Sequence, residues 1–284
     1  MGAEFRKIVA AVDVDATADV VLRHAHRWAS RFGATLALLH VNADGSTQGQ
    51  RVRHAESEIR GLVAATIPDA RPELELIVNP GSPGSAIAAG AAAAGADLIV
   101  VGTHGRGTLG RWLVGSVAAD VLRTTNLPVL LVHRPPDDGD SGPVVAAVDF
   151  SHVSEAVVAR AARLAAATGS PLCLLHALPI GDHRSPGHQV MRESAMRTLQ
   201  ELRQRCVPPD SPVELHVAMK MSAVAALIAQ HADSSRARLI VIGGHGASGW
   251  IVGALGGVTE KVLHETVVPV LVVRSGQPVT GLGT

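Results

Sequence analysis

Between Gly102 and Ser116 the chain reads Gly102-Thr-His-Gly105-Arg-Gly107-Thr-Leu-Gly110-Arg-Trp-Leu-Val-Gly115-Ser116. Glycines at this density let a backbone turn sharply and present N–H groups with no side chain in the way. Successive N–H groups form a concavity that takes an anion. A helical pattern starts at about Ser116, so the free N–H groups and positive dipole end of its first turn face the same place. Ser116 has two uses there: capping that helix, or giving its hydroxyl to a phosphate oxygen. Arg106 and Arg111 would add charge beside a polyphosphate. The chemistry is therefore non-covalent phosphate binding. The segment is not a Walker loop, because no Gly-Lys-Ser/Thr occurs in the chain. No clear base or nucleophile neighbours it. His104 would orient a water or simply face solvent.

An internal repeat shows what positions this loop. Lys7-Ile-Val-Ala-Ala-Val-Asp13 recurs as Pro143-Val-Val-Ala-Ala-Val-Asp149, and Leu38-Leu-His-Val41 as Leu174-Leu-His-Ala177. Leu98-Ile-Val-Val-Gly102 recurs as Leu239-Ile-Val-Ile-Gly243, and Leu127-Pro-Val-Leu-Leu-Val132 as Val268-Pro-Val-Leu-Val-Val273. The spacing divides the chain into domains at 1–134 and 143–284. The linker 135–142 is rich in Pro, Gly, Asp and Ser and resists helix and strand alike. Copy one places strands near 7–12, 35–41, 73–78, 98–101 and 128–132, with helices near 17–31, 50–65, 84–94 and 116–124. Continuous apolar strands imply a parallel sheet buried on both faces. Their alternation with helices implies a doubly wound α/β fold in each copy, two parallel five-stranded sheets in tandem. An order of 3-2-1-4-5 puts a switch point between strands 1 and 4, where such sheets hold ligands. Asp13 and the glycine loop follow those two strands.

Composition removes other classes. Lys+Arg and Asp+Glu are 25 each, which lacks the basic footprint of a nucleic-acid partner. Cys173 and Cys206 stand far apart without Cys-x-x-Cys spacing and read as buried, reduced thiols rather than a disulfide or zinc site. Leu164 to Gly181 carries no Asp, Glu, Lys or Arg, but Gly169-Ser170-Pro171 breaks it, so no membrane helix is expected. Nothing at the N-terminus reads as a signal peptide. Cytoplasm is the expected location. Gly139-Asp140-Ser141-Gly142-Pro143 spells the nucleophile motif of trypsin-like proteases. It falls in the linker of an α/β chain with no partner signature, so it carries no catalysis.

The spacing Gly-x2-Gly-x9-Gly-Ser/Thr, met by Gly102, Gly105, Gly115 and Ser116, resembles the ATP-binding pattern of the universal stress protein family. The flanks agree: Leu98-Ile-Val-Val-Gly-Thr-His-Gly before, Asn126-Leu-Pro-Val-Leu-Leu-Val after, and Ala10-Ala-Val-Asp13 at the end of strand 1. The resemblance covers nearly the whole chain, twice, and implies an adenine nucleotide α-hydrolase-like fold. It implies that Asp13 holds the nucleoside end of ATP and that Val41 offers backbone groups to the adenine edge. Gly102 and Gly105 would approach ribose and phosphates, and Gly115 and Ser116 would bind the outer phosphates, with Mg2+ carried on them. The plain alternatives are a solvated strand end for Asp13 and a core side chain for Val41. The implied role is a nucleotide-dependent regulator of stress response or growth, at most a slow ATPase. The rivals are a ligand-free interaction module and a nucleotide α-hydrolase-type enzyme. Such an enzyme would want a Ser-Gly-Gly-x-Asp-Ser loop, where this chain has Asp13-Val-Asp-Ala-Thr17.

Copy two keeps Asp149, has Ala177 for Val41, and retains the glycine spacing as Gly243, Gly246 and Gly256. Gly257 stands where copy one has Ser116. Loss of one charge-assisted hydrogen bond is worth roughly 1.5–3 kcal/mol, about ten- to hundredfold in affinity. Site two is therefore expected to be the weaker for ATP. Each copy ends in an apolar strand, and the resemblance implies that these edges pair into a pseudo-dimer, with a further homodimer open to it.

Overall fold

The computed structural model describes residues 4–13, 17–42, 49–78, 82–106, 112–137, 142–180, 187–244 and 255–274. It divides into two compact units, Met1–Asp138 and Gly139–Thr284.

Unit one runs β1 (Lys7–Ala11), α1 (Ala18–Phe32), β2 (Thr35–Asn42), α2 (Gly49–Thr66), β3 (Glu73–Val78), α3 (Pro83–Ala93), β4 (Leu98–Gly102), β5 (His104–Arg106), β6 (Trp112–Leu113), α4 (Ser116–Thr124) and β7 (Val129–Val132). Its main sheet has the order β3-β2-β1-β4-β7, parallel at every pair. This is the 3-2-1-4-5 order expected from the alternation of apolar runs and helical patterns. Leu98, Ile99 and Val100 are fully buried, as a central strand covered on both faces must be. At the amino end, Phe5 packs against Trp28 and Phe32, with ring centroids 5.7 and 5.2 Å away.

Unit two repeats the plan with β8 (Val144–Ala147), α5 (Ser154–Thr168), β9 (Leu172–Pro179), α6 (Gly187–Cys206), β10 (Val213–Lys220), α7 (Val224–Ser234), β11 (Leu239–Gly243), α8 (Gly257–Glu265) and β12 (Val270–Val273). Its order is β10-β9-β8-β11-β12, again parallel. Its second helix, α6, has 20 residues against 18 in α2.

The uncharged run from Leu164 is divided as its sequence suggests. Gly169 closes α5 in the left-handed region, at φ 65°, and Leu172 opens a strand. No described helix is long and apolar enough to cross a membrane. Cys173 is buried, but Cys206 at the end of α6 is only half-buried, which corrects the expectation of two buried thiols. The helix ends there, so one side of the residue stays open. The start of the expected linker is also not loose. His24 on α1 reaches the Arg134 carbonyl with Nε2 at 2.9 Å, and Arg27 donates from Nη1 to the Asp137 carbonyl at 2.7 Å. Of the protease-like motif, residues 139–141 lie outside the described residues. Gly142 packs so tightly that a Cβ there would meet the Arg236 carbonyl oxygen at 1.7 Å.

Candidate functional site

In unit one β1 lies between β2 and β4. The carboxyl ends of those three strands carry Val41, Asp13 and Gly102, so topology brings these residues to one edge of the sheet. Asp13 has an exposed carboxylate, 3.7 Å from Nδ1 of His40. That same Nδ1 donates to the Val12 carbonyl at 3.0 Å, which fixes the tautomer and ties the end of β1 to β2. Val41 is paired in β2 opposite Ile77.

Gly102 is a glycine for a packing reason. A Cβ there would meet Thr17 Oγ1 and Val21 Cγ2 at 3.0 Å, because the first turn of α1 abuts the end of β4. From Thr103 the chain enters a short antiparallel hairpin, pairing His104 with Leu113 and Arg106 with Trp112. Gly105 lies inside β5. Gly107, Gly110 and Arg111 lie outside the described residues. The hairpin was not legible in the glycine pattern. It returns the chain to the loop's beginning just before α4 starts.

Gly115 is the N-cap of α4, extended at φ −61° and ψ 155°, with no side-chain cap bond. Ser116 is the first helical residue and is exposed. Ser116 is therefore not the cap that its position in the sequence allows, because the helix begins one residue too early for that. The first-turn N–H groups of α4 have no acceptor within the helix. They and the Ser116 hydroxyl stand where the hairpin closes.

Unit two matches this only in part. Asp149 is exposed, and its Oδ1 accepts from the Ser151 N–H at 3.0 Å and from Ser154 Oγ at 3.3 Å, which ties the end of β8 to the turn before α5. His176, the counterpart of His40, donates Nδ1–H to the Val148 carbonyl at 2.8 Å. Ala177 is buried in β9. Gly243 ends β11, and its carbonyl accepts Thr259 Oγ1 of α8 at 2.7 Å. Gly246 lies outside the described residues. Gly256 is the N-cap of α8 at φ −62° and ψ 134°, and Gly257 is its first residue. Both copies thus use glycine at the cap, so replacing Ser116 by Gly257 removes no capping side chain. A Cβ at Gly257 would meet nothing within 4 Å.

Sequence reading missed a polar network behind the loop in copy one. The nearly buried carboxylate of Asp120, on α4, accepts from Ser82 Oγ, from the Ser85 N–H at 3.0 Å and Ser85 Oγ at 3.1 Å, and from Arg123. The Ser82 bond is the chief cause of a carboxyl pKa below its ordinary value. Asp120 therefore caps α3 from another helix. It lies so close that a Cβ at Gly84 would clash with it at 2.5 Å. Copy two carries Ala223, Ala226 and Lys261 at the equivalent places. That triple difference was readable from the aligned repeats. The histidine shared by Leu38-Leu-His-Val41 and Leu174-Leu-His-Ala177 was another readable signal, and it marks the latch between the first two strands.

A repeated 3-2-1-4-5 parallel sheet, with a glycine N-cap opening the helix before the last strand of each copy, defines a tandem α/β protein. The model of the universal stress protein family matches residues 4–133 and 141–274, and the chain belongs to that family, with two of its domains in tandem. A universal stress protein of Mycolicibacterium smegmatis is 28% identical over 288 residues, covering 94% of this chain and 96% of the relative. One from Mycobacterium tuberculosis is 34% identical over 190 residues, 63% of this chain and 62% of its own. A crystal structure of a universal stress protein from Archaeoglobus fulgidus superposes with a TM-score of 0.71 at 19% identity, covering 97% of this chain and 100% of that one.

Proposed function

We propose that the chain binds ATP with Mg2+ on its phosphates, most tightly in copy one, and acts as a nucleotide-dependent regulator rather than a fast ATPase. The observation that carries this is the Gly102–Ser116 segment. It delivers an exposed hydroxyl and an uncapped helix N-terminus to the sheet edge that also holds Asp13. Backbone donors plus a helix dipole suit a polyphosphate without any Walker lysine. Any hydrolysis is assigned to a slow background. The two thiols without a disulfide suit a reducing compartment, and the cytoplasm is the location that this reading assigns.

Saturating ATP-Mg should raise the melting temperature. Ligand at about 100 times Kd adds roughly 2.7 kcal/mol of stability. A melting curve that does not move sinks the reading in favour of a ligand-free interaction module. Multiple turnovers per second would instead favour an enzyme.

A further inference from the structure

Copy two departs from copy one at the nucleoside end as well as at the phosphate end. Just past β8, Phe150 stands at φ 62°, in the left-handed region that bulky side chains avoid. Its ring lies nearly flat on the imidazole of His176, with centroids 4.0 Å apart and 20° between planes. Phe150 is only half-buried, so filling a core does not account for an aromatic side chain on a strained backbone. Strain of this kind collects at binding sites.

The stack sits between the two positions assigned to the nucleoside. Phe150 follows Asp149, His176 precedes Ala177, and β8 and β9 are neighbours. In copy one the same imidazole, on His40, lies beside the Asp13 carboxylate, and the residue after that aspartate is Val14. In copy two the aspartate is engaged by Ser151 and Ser154, and the helix hydroxyl is replaced by Gly257. The helix hydroxyl of copy one is absent from copy two, and an aromatic surface is added at the nucleoside end. Burial lowers the His176 pKa.

We propose that Phe150 is a base-stacking platform that makes site two select an aromatic nucleobase over phosphate charge, with purines ahead of pyrimidines. The proposal rests on the nucleotide reading above. Stacking on an aromatic side chain contributes roughly ten- to hundredfold in affinity and grows with the area of the base. Site two would then hold adenosine or AMP nearly as well as ATP, whereas site one depends on the phosphates.

The test uses the full chain, titrated first as the native protein with ATP and adenosine, then with Asp13→Ala and Ser116→Gly to silence site one. In the silenced chain, adenosine, AMP and ATP should bind within roughly threefold of one another. Phe150→Leu should weaken all three by about ten- to hundredfold, and Phe150→Tyr should restore them. Phe150→Gly accepts the same φ, so loss of binding in that variant is not unfolding. The chain has three phenylalanines, and Phe5 and Phe32 pack on each other in unit one. Ring-labelled phenylalanine therefore gives a direct readout: the Phe150 signals should shift with adenosine and show contacts to base protons. Adenosine binding with unmoved Phe150 signals and unchanged Phe150→Leu affinity overturns this proposal alone. So does binding by the native chain that vanishes when site one is silenced. A native chain that takes neither ATP nor adenosine overturns the nucleotide reading and this one with it.

Discussion

Ser116 and Gly257 occupy the first helical position of α4 and α8, so the comparison between them isolates a hydroxyl. Both N-caps are glycine with similar φ, which removes any difference in capping. Ser116→Gly should weaken ATP at site one by about ten- to hundredfold and AMP by less, since the hydroxyl is assigned to the outer phosphates. Gly257→Ser should strengthen ATP at site two, because a Cβ at that position meets nothing within 4 Å. Asp13→Ala should weaken ATP and AMP alike at site one. Calorimetry on the three variants decides this; equal losses for ATP and AMP in Ser116→Gly would refute the hydroxyl's role and leave the backbone N–H groups to hold the phosphates. The spacing pointed to Gly115 and Ser116, but which of them caps α4 depends on a helix boundary, and boundaries shift by a residue for reasons that spacing does not encode.

The main elements were legible because apolar runs with no alternation leave a buried parallel strand as the natural reading, and each is punctuated by Gly or Pro. The β5–β6 hairpin was hidden by the opposite circumstance: glycine-rich sequence has weak preferences, and antiparallel pairing of so few residues is set by where the loop ends meet. The α3–α4 contact was hidden because Ser82, Ser85 and Asp120 are distant in sequence and become a cap only once two helices pack at Gly84. Asp120→Ala should destabilise unit one by about 1–3 kcal/mol, through the lost charge-assisted cap of α3. Ser82→Ala with Ser85→Ala should cost more, because they strip two hydroxyl donors from a buried carboxylate and leave it the backbone N–H at position 85 and Arg123. In the Asp120→Ala background the same pair should cost much less than it does alone. Urea unfolding of the four chains gives the coupling, and additive costs would show that the network is not a unit.

For the whole molecule, buried titratable groups set a pH window. Burial pulls His24 from its ordinary 6.5 to about 4 and lowers His176 and His231 in unit two as well. The unfolded chain takes up these protons near pH 6.5 and the folded chain only below it, so stability falls as pH drops through that range. At the other end, burial pushes the Cys173 thiol from 9.0 to about 12, and Cys206 moves in the same direction. The folded chain then holds protons that the unfolded chain releases, and stability falls as pH rises above about 9. Melting temperature should therefore be flattest between about pH 6.5 and 9 and decline on both sides. His24→Gln, which keeps a donor for the Arg134 carbonyl without titrating, should shrink the acid-side decline by up to roughly 3 kcal/mol. An unchanged acid slope in that variant would show that His24 does not control it.

The cap that Asp120 gives to α3 also constrains the paths by which one copy can turn into the other. If the serines go first, a buried carboxylate loses donors, the expensive kind of intermediate. If the carboxylate goes first, two hydroxyls and one amide are left near the helix surface, where water can reach them. Copy one can therefore drift towards Ala223, Ala226 and Lys261 cheaply in one order and not in the other. Rebuilding the network in copy two runs the same route backwards, with both serines in place before the aspartate. A swap of single residues between the copies would misjudge each of them, because the unit of exchange is the trio.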